Sequence, residues 1–381
     1  MKNNIFLWLC SGLLLLASCT KDDVVATPKT GEPTTTKQDD DKATITDTYT
    51  YQLPIIFHVF YQDATNMTQH VKAERLKTMV GYLNELYKGG VYGSSSAVNV
   101  NFQLAQKDEK GNLLSTPGVE YIQWTGEYPI DFQKFMSAKS NVQYLWEPND
   151  YINIMVYPFK TDDGEQKSGT LGISHLPLMP KALTDSLEGL SRVDYTSLSK
   201  KNLSYPFCTS INSDYIYDES TRYTAADKGA KGYQFSSVDV NVTLAHELGH
   251  YLGLHHVFTE NDTATLDSCA DTDYCKDTPS YNRVEYEKQL KDYLATLNGQ
   301  QFDLYKMLER QPCTGAPFRA SNFMDYDLNL GFQFTDNQVK RMRTVLYYGL
   351  LIPGPKKPLN KVRGIIAPPE GVVNLPMKLR K

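Results

Sequence analysis

The stretch Thr243-Leu-Ala-His246-Glu247-Leu-Gly-His250-Tyr-Leu-Gly253-Leu-His255-His256-Val257 has the spacing H-E-x-x-H-x-x-G-x-x-H. Residues four apart stand one above the other on a helix, so His246 and His250 present two imidazoles on one face. That is the arrangement a zinc ion needs from its first two nitrogen ligands. Glu247 lies off that face, where its carboxylate can reach a water and act as a base. Gly253 permits positive φ, so the chain can leave the helix and turn back at once, returning His256 as a third ligand. Three protein ligands leave a fourth position for water, the mark of a catalytic rather than a structural zinc site. The chain has 7 histidines, and four of them fall between His246 and His256, which weighs against accident. Only His256 stands three residues after Gly253, so His255 reads as a neighbour rather than a ligand.

Working outward to the start, Lys2 followed by the apolar run Ile5 to Ala17 reads as a secretion signal, too short to span a bilayer comfortably. It ends Leu16-Ala17-Ser18-Cys19, similar to a bacterial lipobox in which Cys19 is lipidated. An ordinary signal cut near Ser18 is the alternative. Lys21-Asp22-Asp23 resembles the acidic surface-export signal of Bacteroidota lipoproteins, or simply opens a polar linker. Thr20 to about Asp47 has few large apolar residues and reads as a disordered tether, or a short pro-segment over the site. The expected division is 1–18 lipoprotein signal, 19–47 tether, 48–352 catalytic domain and 353–381 a solvated or loosely docked extension rich in Pro, Lys and Arg. The net charge of −5 offers no footprint for nucleic acid.

Between these limits the pattern is mixed. Leu53 to Tyr61 is an apolar, β-rich run read as a buried strand, with His58 structural. Gln69 to Tyr87 has helical spacing stopped by Gly89-Gly90. Val98 to Ala105 alternates as a half-buried strand, Asp150 to Phe159 reads as another, and Gly169 to Leu178 as a short edge. Asp239 to Leu252 is the histidine helix. Tyr281 to Glu309 reads as one or two helices broken at Asn298-Gly299, and Thr335 to Gln338 as a capping box opening a last helix through about Tyr348. This order implies an α/β (α+β) fold.

Asp271, Asp273 and Asp277 crowd one loop, which could cup a calcium ion through Asp273 and Asp277 or form a solvated acidic turn. Besides Cys19, an exported chain carrying Cys208, Cys269, Cys275 and Cys313 suggests two disulfides. Three pairings are open, and the working expectation is Cys269–Cys313 with Cys208–Cys275.

With Asn322-Phe-Met324-Asp-Tyr326 added to the histidine motif, the sequence resembles the metzincin zinc metallopeptidases. It is most similar to their pappalysin branch, and within it to lipoprotein metalloproteinases of Bacteroides-type bacteria. Asp273 to Pro279 and Phe334 to Met342 also carry the likeness, which extends over about Tyr51 to Leu350. The resemblance implies an upper subdomain of twisted sheet and two long helices above a smaller irregular lower one, with the cleft between. It implies that Met324 is the Met-turn methionine beneath the metal, and that Tyr326 aids catalysis or is a plain core aromatic. It also implies that the edge near Gly169 to Pro177 pairs with an extended peptide by strand addition. His255 and Cys275 depart from the pattern.

The expected function is a zinc-dependent endopeptidase anchored at the outer-membrane surface of a Gram-negative bacterium. It would act on protein or peptide substrates by a zinc-bound water with Glu247 as general base and acid. The expected cofactors are one Zn2+ and, through the acidic loop, Ca2+; the expected non-substrate partner is the lipid bilayer, through Cys19. A non-enzymatic surface binding lipoprotein on the same scaffold, and a hydrolase of a non-peptide bond, are the competing readings.

Overall fold

The computed structural model describes residues 45–161, 167–183, 187–230, 232–260, 269–326, 328–359 and 367–380. The signal, Cys19 and nearly all of the tether lie outside the described residues.

The frame is a seven-stranded mixed sheet. Strand β1 (Tyr51–Tyr61) is its axis. The first half of β1 pairs in parallel with β2 (Val100–Leu104), and its second half with β3 (Val119–Gln123). After the short helix α2 (Phe132–Met136), β4 (Ile152–Tyr157) pairs in parallel on the other side of β1. All six residues of β4 are buried, which is why its sequence is a near-continuous apolar run rather than an alternating one. Next comes β5 (Gly172–His175), then the small parallel pair β6 (Met179–Pro180) and β7 (Arg192–Val193), then β8 (Thr209–Asn212). Strand β8 adds in parallel to β4, and β5 adds antiparallel to β8.

Helix α1 (Ala73–Lys88) lays Leu76, Met79, Val80, Leu83 and Leu86 on the sheet. It starts four residues later than the periodicity suggests. The carbonyl of Asn66 accepts from the N–H groups of Gln69 and His70, so those residues form a turn instead. Helix α3 (Val240–Tyr251) is buried along its whole length, its polar Asn241, Thr243, His246, Glu247 and His250 included. Tyr87 of α1 donates to the Ala245 carbonyl of α3 at 3.0 Å, locking the two helices together.

Beyond α3 the chain is less regular. It carries α4 (Arg283–Thr296), α5 (Leu304–Leu308), the hairpin of β9 (Glu309–Arg310) and β10 (Phe318–Arg319), and α6 (Asp336–Tyr348). The break after α4 falls at Asn298 and Gly299, both at positive φ. The capping box of Thr335 and Gln338 opens α6. The fold class is therefore mixed α/β.

Three expectations need correction. Cys269 and Cys313 are bonded, but Cys208 and Cys275 are separate buried thiols. Cys208 lies in the core where β8 begins, with its sulfur 3.4 Å from Met136 Sδ, while Cys275 belongs to the acidic loop. Burial raises both thiols, Cys275 up to about 12. Strands β3 and β8, each of only four or five residues, were not legible. Finally, residues 371–380 are not a solvated extension. Val373 and Leu375 are buried, and β11 (Met377–Arg380) completes the sheet against β5.

Candidate metal centre and cleft

Asp239 caps α3 by accepting from the N–H groups of Asn241 and Val242, and Tyr223 donates to the same carboxylate. The helix then carries His246 and His250 inward, one turn apart. It ends at Leu252, and Gly253 turns the chain at φ 92°. A Cβ on Gly253 would stand 2.7 Å from Val345 Cγ2, so both conformation and space demand glycine here. Arg341 of α6 donates to the Gly253 carbonyl at 2.6 Å, and His256 comes back toward the helix.

The three imidazoles converge. Their Nε2 atoms are 3.0 Å apart for His246–His250 and His250–His256, and 3.3 Å apart for His246–His256. Each opposite nitrogen is spoken for. His246 Nδ1 faces the Phe323 carbonyl at 2.6 Å, His250 Nδ1 faces the Leu254 carbonyl at 2.8 Å, and His256 Nδ1 bonds the Glu260 carboxylate. A carbonyl oxygen can only accept, so Nδ1 carries the proton in His246 and His250, and Glu260 asks the same of His256. Three bare lone pairs are thereby aimed at one point, which is repulsive unless a cation sits there. Four ligands at roughly 2.0–2.1 Å in a tetrahedron stand about 3.3 Å from one another, close to the spacing here. The donor set and its tautomers fit zinc.

Burial pulls the pKa of His250 well below its ordinary value and lowers that of His256, so both imidazoles are neutral, the form a metal binds. Burial pushes Glu260 upward, but the His256 N–H and the Lys378 ammonium outweigh it and hold the carboxyl far below its usual range. Glu260 thus holds the His256 ring from behind, and an acid four residues after His256 is the signal for it in the sequence.

Glu247 is fully buried beside the histidines. Its neighbour on the sheet side is Gly172 of β5, where a Cβ would lie 2.6 Å from Glu247 Cγ and 2.7 Å from Oε1. Met324 lies beneath the site. A Cβ on Gly249 would meet its sulfur at 2.5 Å, and the Met324 carbonyl accepts from Val257 N–H at 3.2 Å. The turn that holds it is shaped by Asn322, whose side chain accepts from Met324 N–H and donates to Gln338. The Tyr326 ring centroid is 4.4 Å from that of His256.

His255 points elsewhere, its ring edge-on to Tyr274 and close to Gly189. Its pKa is pulled down to about 3, chiefly by burial. In the acidic loop, Asp273 accepts from Cys275 N–H at 2.9 Å and Thr278 Oγ1 at 2.6 Å, and burial pushes it up to about 7. Asp277 accepts from Asn337 N–H in the first turn of α6 at 2.9 Å. Among the described residues the one clustered set of metal-ligand side chains is His246, His250 and His256.

Residues 229–347 match the Peptidase_M43 family model, described as pregnancy-associated plasma protein-A. That segment is pappalysin-like. It holds the three histidines, Glu247, Met324 and nearly all of α6, so the recognition made from the motifs is met over it. An extracellular metalloprotease of Arthroderma otae is 32% identical over 113 residues, 29% of this chain and 33% of that protein. One from Arthroderma benhamiae is 40% identical over 52 residues, 14% of this chain and 17% of that protein. The chain thus spans a third or less of the length of these curated relatives. Among solved structures, mature mirolysin of Tannerella forsythia in complex with a cleaved peptide aligns with a TM-score of 0.48 at 20% identity, covering 78% of this chain and 92% of that one.

Proposed function

We propose that this chain is a zinc-dependent endopeptidase. The observation that carries the reading is the convergence of three tautomer-locked Nε2 atoms beside the buried Glu247 carboxylate. A bound zinc ion would acidify a water to a pKa of ~7 and polarise the scissile carbonyl. Glu247 takes the proton of the attacking water as its oxygen bonds the carbonyl carbon, then passes that proton to the nitrogen as the C–N bond breaks. His246, His250 and His256 hold the metal. Glu260 and the Phe323 and Leu254 carbonyls keep their rings turned correctly. Tyr326 packs on His256 and would lend its hydroxyl to the developing oxyanion. The substrates are proteins or peptides, bound in extended form. Glu247→Ala should keep one zinc per chain and lose turnover by about 10²–10⁴-fold on a quenched fluorescent peptide. A variant that cleaves as fast as the parent refutes Glu247 as the base, and a parent that cleaves no peptide leaves a binding lipoprotein.

We further infer that Cys19 is lipidated and tethers the catalytic domain to the outer surface of a Gram-negative cell. The support is Leu16-Ala17-Ser18-Cys19 following an apolar run, together with the extracellular naming of the curated relatives. Metabolic labelling with a fatty acid should mark the parent and not Cys19→Ala; equal labelling contradicts it.

A further inference from the structure

The edge expected to receive a peptide already holds a strand. Strand β5 has β8 on one side, and on its other side lies β11 of the same chain, antiparallel, with Met377 opposite His175 and Arg380 opposite Gly172. Leu176 N–H also donates to the Pro376 carbonyl at 2.7 Å, extending the contact by one residue. This is the hydrogen-bonding pattern by which an extended peptide adds to a sheet edge.

Its position bears on the metal centre. Gly172, paired with Arg380, is the residue that abuts Glu247. Two pairs further along, the Lys378 ammonium bonds Glu260, the same carboxylate that holds His256 Nδ1. The backbone of β11 therefore runs past the proton-carrying carboxylate and the support of the third histidine together.

The strand is also leashed. Gly371 N–H donates to the Lys201 carbonyl and Val373 N–H to the Asn202 carbonyl, each at 2.9 Å; Ser204 N–H returns a bond to the Val373 carbonyl. With Val373 and Leu375 buried, residues 371–375 are a fixed anchor. A short leash raises the local concentration of its strand to the millimolar range. Yet β11 itself has four residues, and an edge pairing that short is weak enough for a longer peptide to displace.

We propose that β11 is a built-in competitor that occupies the substrate-binding edge and must be displaced before a peptide can bind. The proposal rests on the endopeptidase reading for its consequence, but the occupancy itself can be measured without turnover. A strand that only finishes the sheet would stabilise the fold and leave peptide binding alone.

Two arms separate these cases. In the first, a chain ending at Pro376 and the full-length Arg380→Pro variant, which puts a proline opposite Gly172 and keeps the Lys378 ammonium on Glu260, are compared with the parent on a quenched peptide. If β11 is docked about nine-tenths of the time, KM should fall about tenfold in both, with kcat and zinc content little changed in Arg380→Pro. In the second, a labelled peptide of residues 374–381 is added to Glu247→Ala chains, and fluorescence anisotropy is read. It should bind the chain ending at Pro376 and fail to bind the full-length one. Unchanged KM in both variants, or a labelled peptide that binds both chains equally or neither, overturns the proposal. Should no form cleave any peptide, the endopeptidase reading falls and the anisotropy alone decides the occupancy.

Discussion

Gly172 is the residue whose role reaches furthest beyond its own position. It has no side chain because Glu247 fills the space, with a built Cβ 2.6–2.8 Å from three atoms of that carboxylate arm. Gly172→Ala must push Glu247 aside, since real Cβ contacts do not approach so closely. Proton transfer is sensitive to such displacement, so kcat should fall about 10–100-fold while zinc per chain stays at the parental value. Steady-state kinetics with elemental analysis checks this, and a parental kcat would mean that β5 does not position the base. His246, Glu247, His250, Gly253 and His256 were legible because one short, continuous stretch carries their whole spacing. Gly172 was not legible, since its constraint is a side chain on a distant element. The Phe323 and Leu254 carbonyls were equally silent, because every residue has a carbonyl and only the fold decides which one meets an imidazole.

At the scale of elements, legibility followed length and periodicity. The buried runs of β1 and β4 and the apolar stripe of α1 extend far enough to show a pattern. The capping box of α6 is a local hydrogen-bond code that needs no tertiary context. Strands β3, β8 and β11 are too short to declare themselves, and their pairing is set by β1, β4 and β5. The acidic loop was ambiguous for a different reason. Aspartates that coordinate an ion and aspartates that cap N–H groups look alike in sequence. Here Asp271 accepts from Tyr274 N–H, Asp273 from Cys275 N–H, and Asp277 from the first turn of α6, so the loop is braced internally and against α6. The cysteine pairing failed where the argument was only parity: Cys208 belongs to the sheet core and Cys275 to this loop.

At the scale of the molecule, the sheet with α1 and α3 forms the frame, and the described chain after Gly253 brings three things back to α3. These are His256, the carbonyl of Phe323 beneath His246, and Met324 against Gly249. The candidate metal centre thus depends on chain both before and after Gly253, and the chain's own β11 pairs with β5 beside it. The most direct test of this account is the recovery of peptide cleavage when metal-depleted full-length chain is titrated with zinc. The account predicts no cleavage without metal, a linear return as zinc is added, and a plateau at one ion per chain. Cleavage that survives complete metal removal, or that stays absent at saturating zinc, would contradict it.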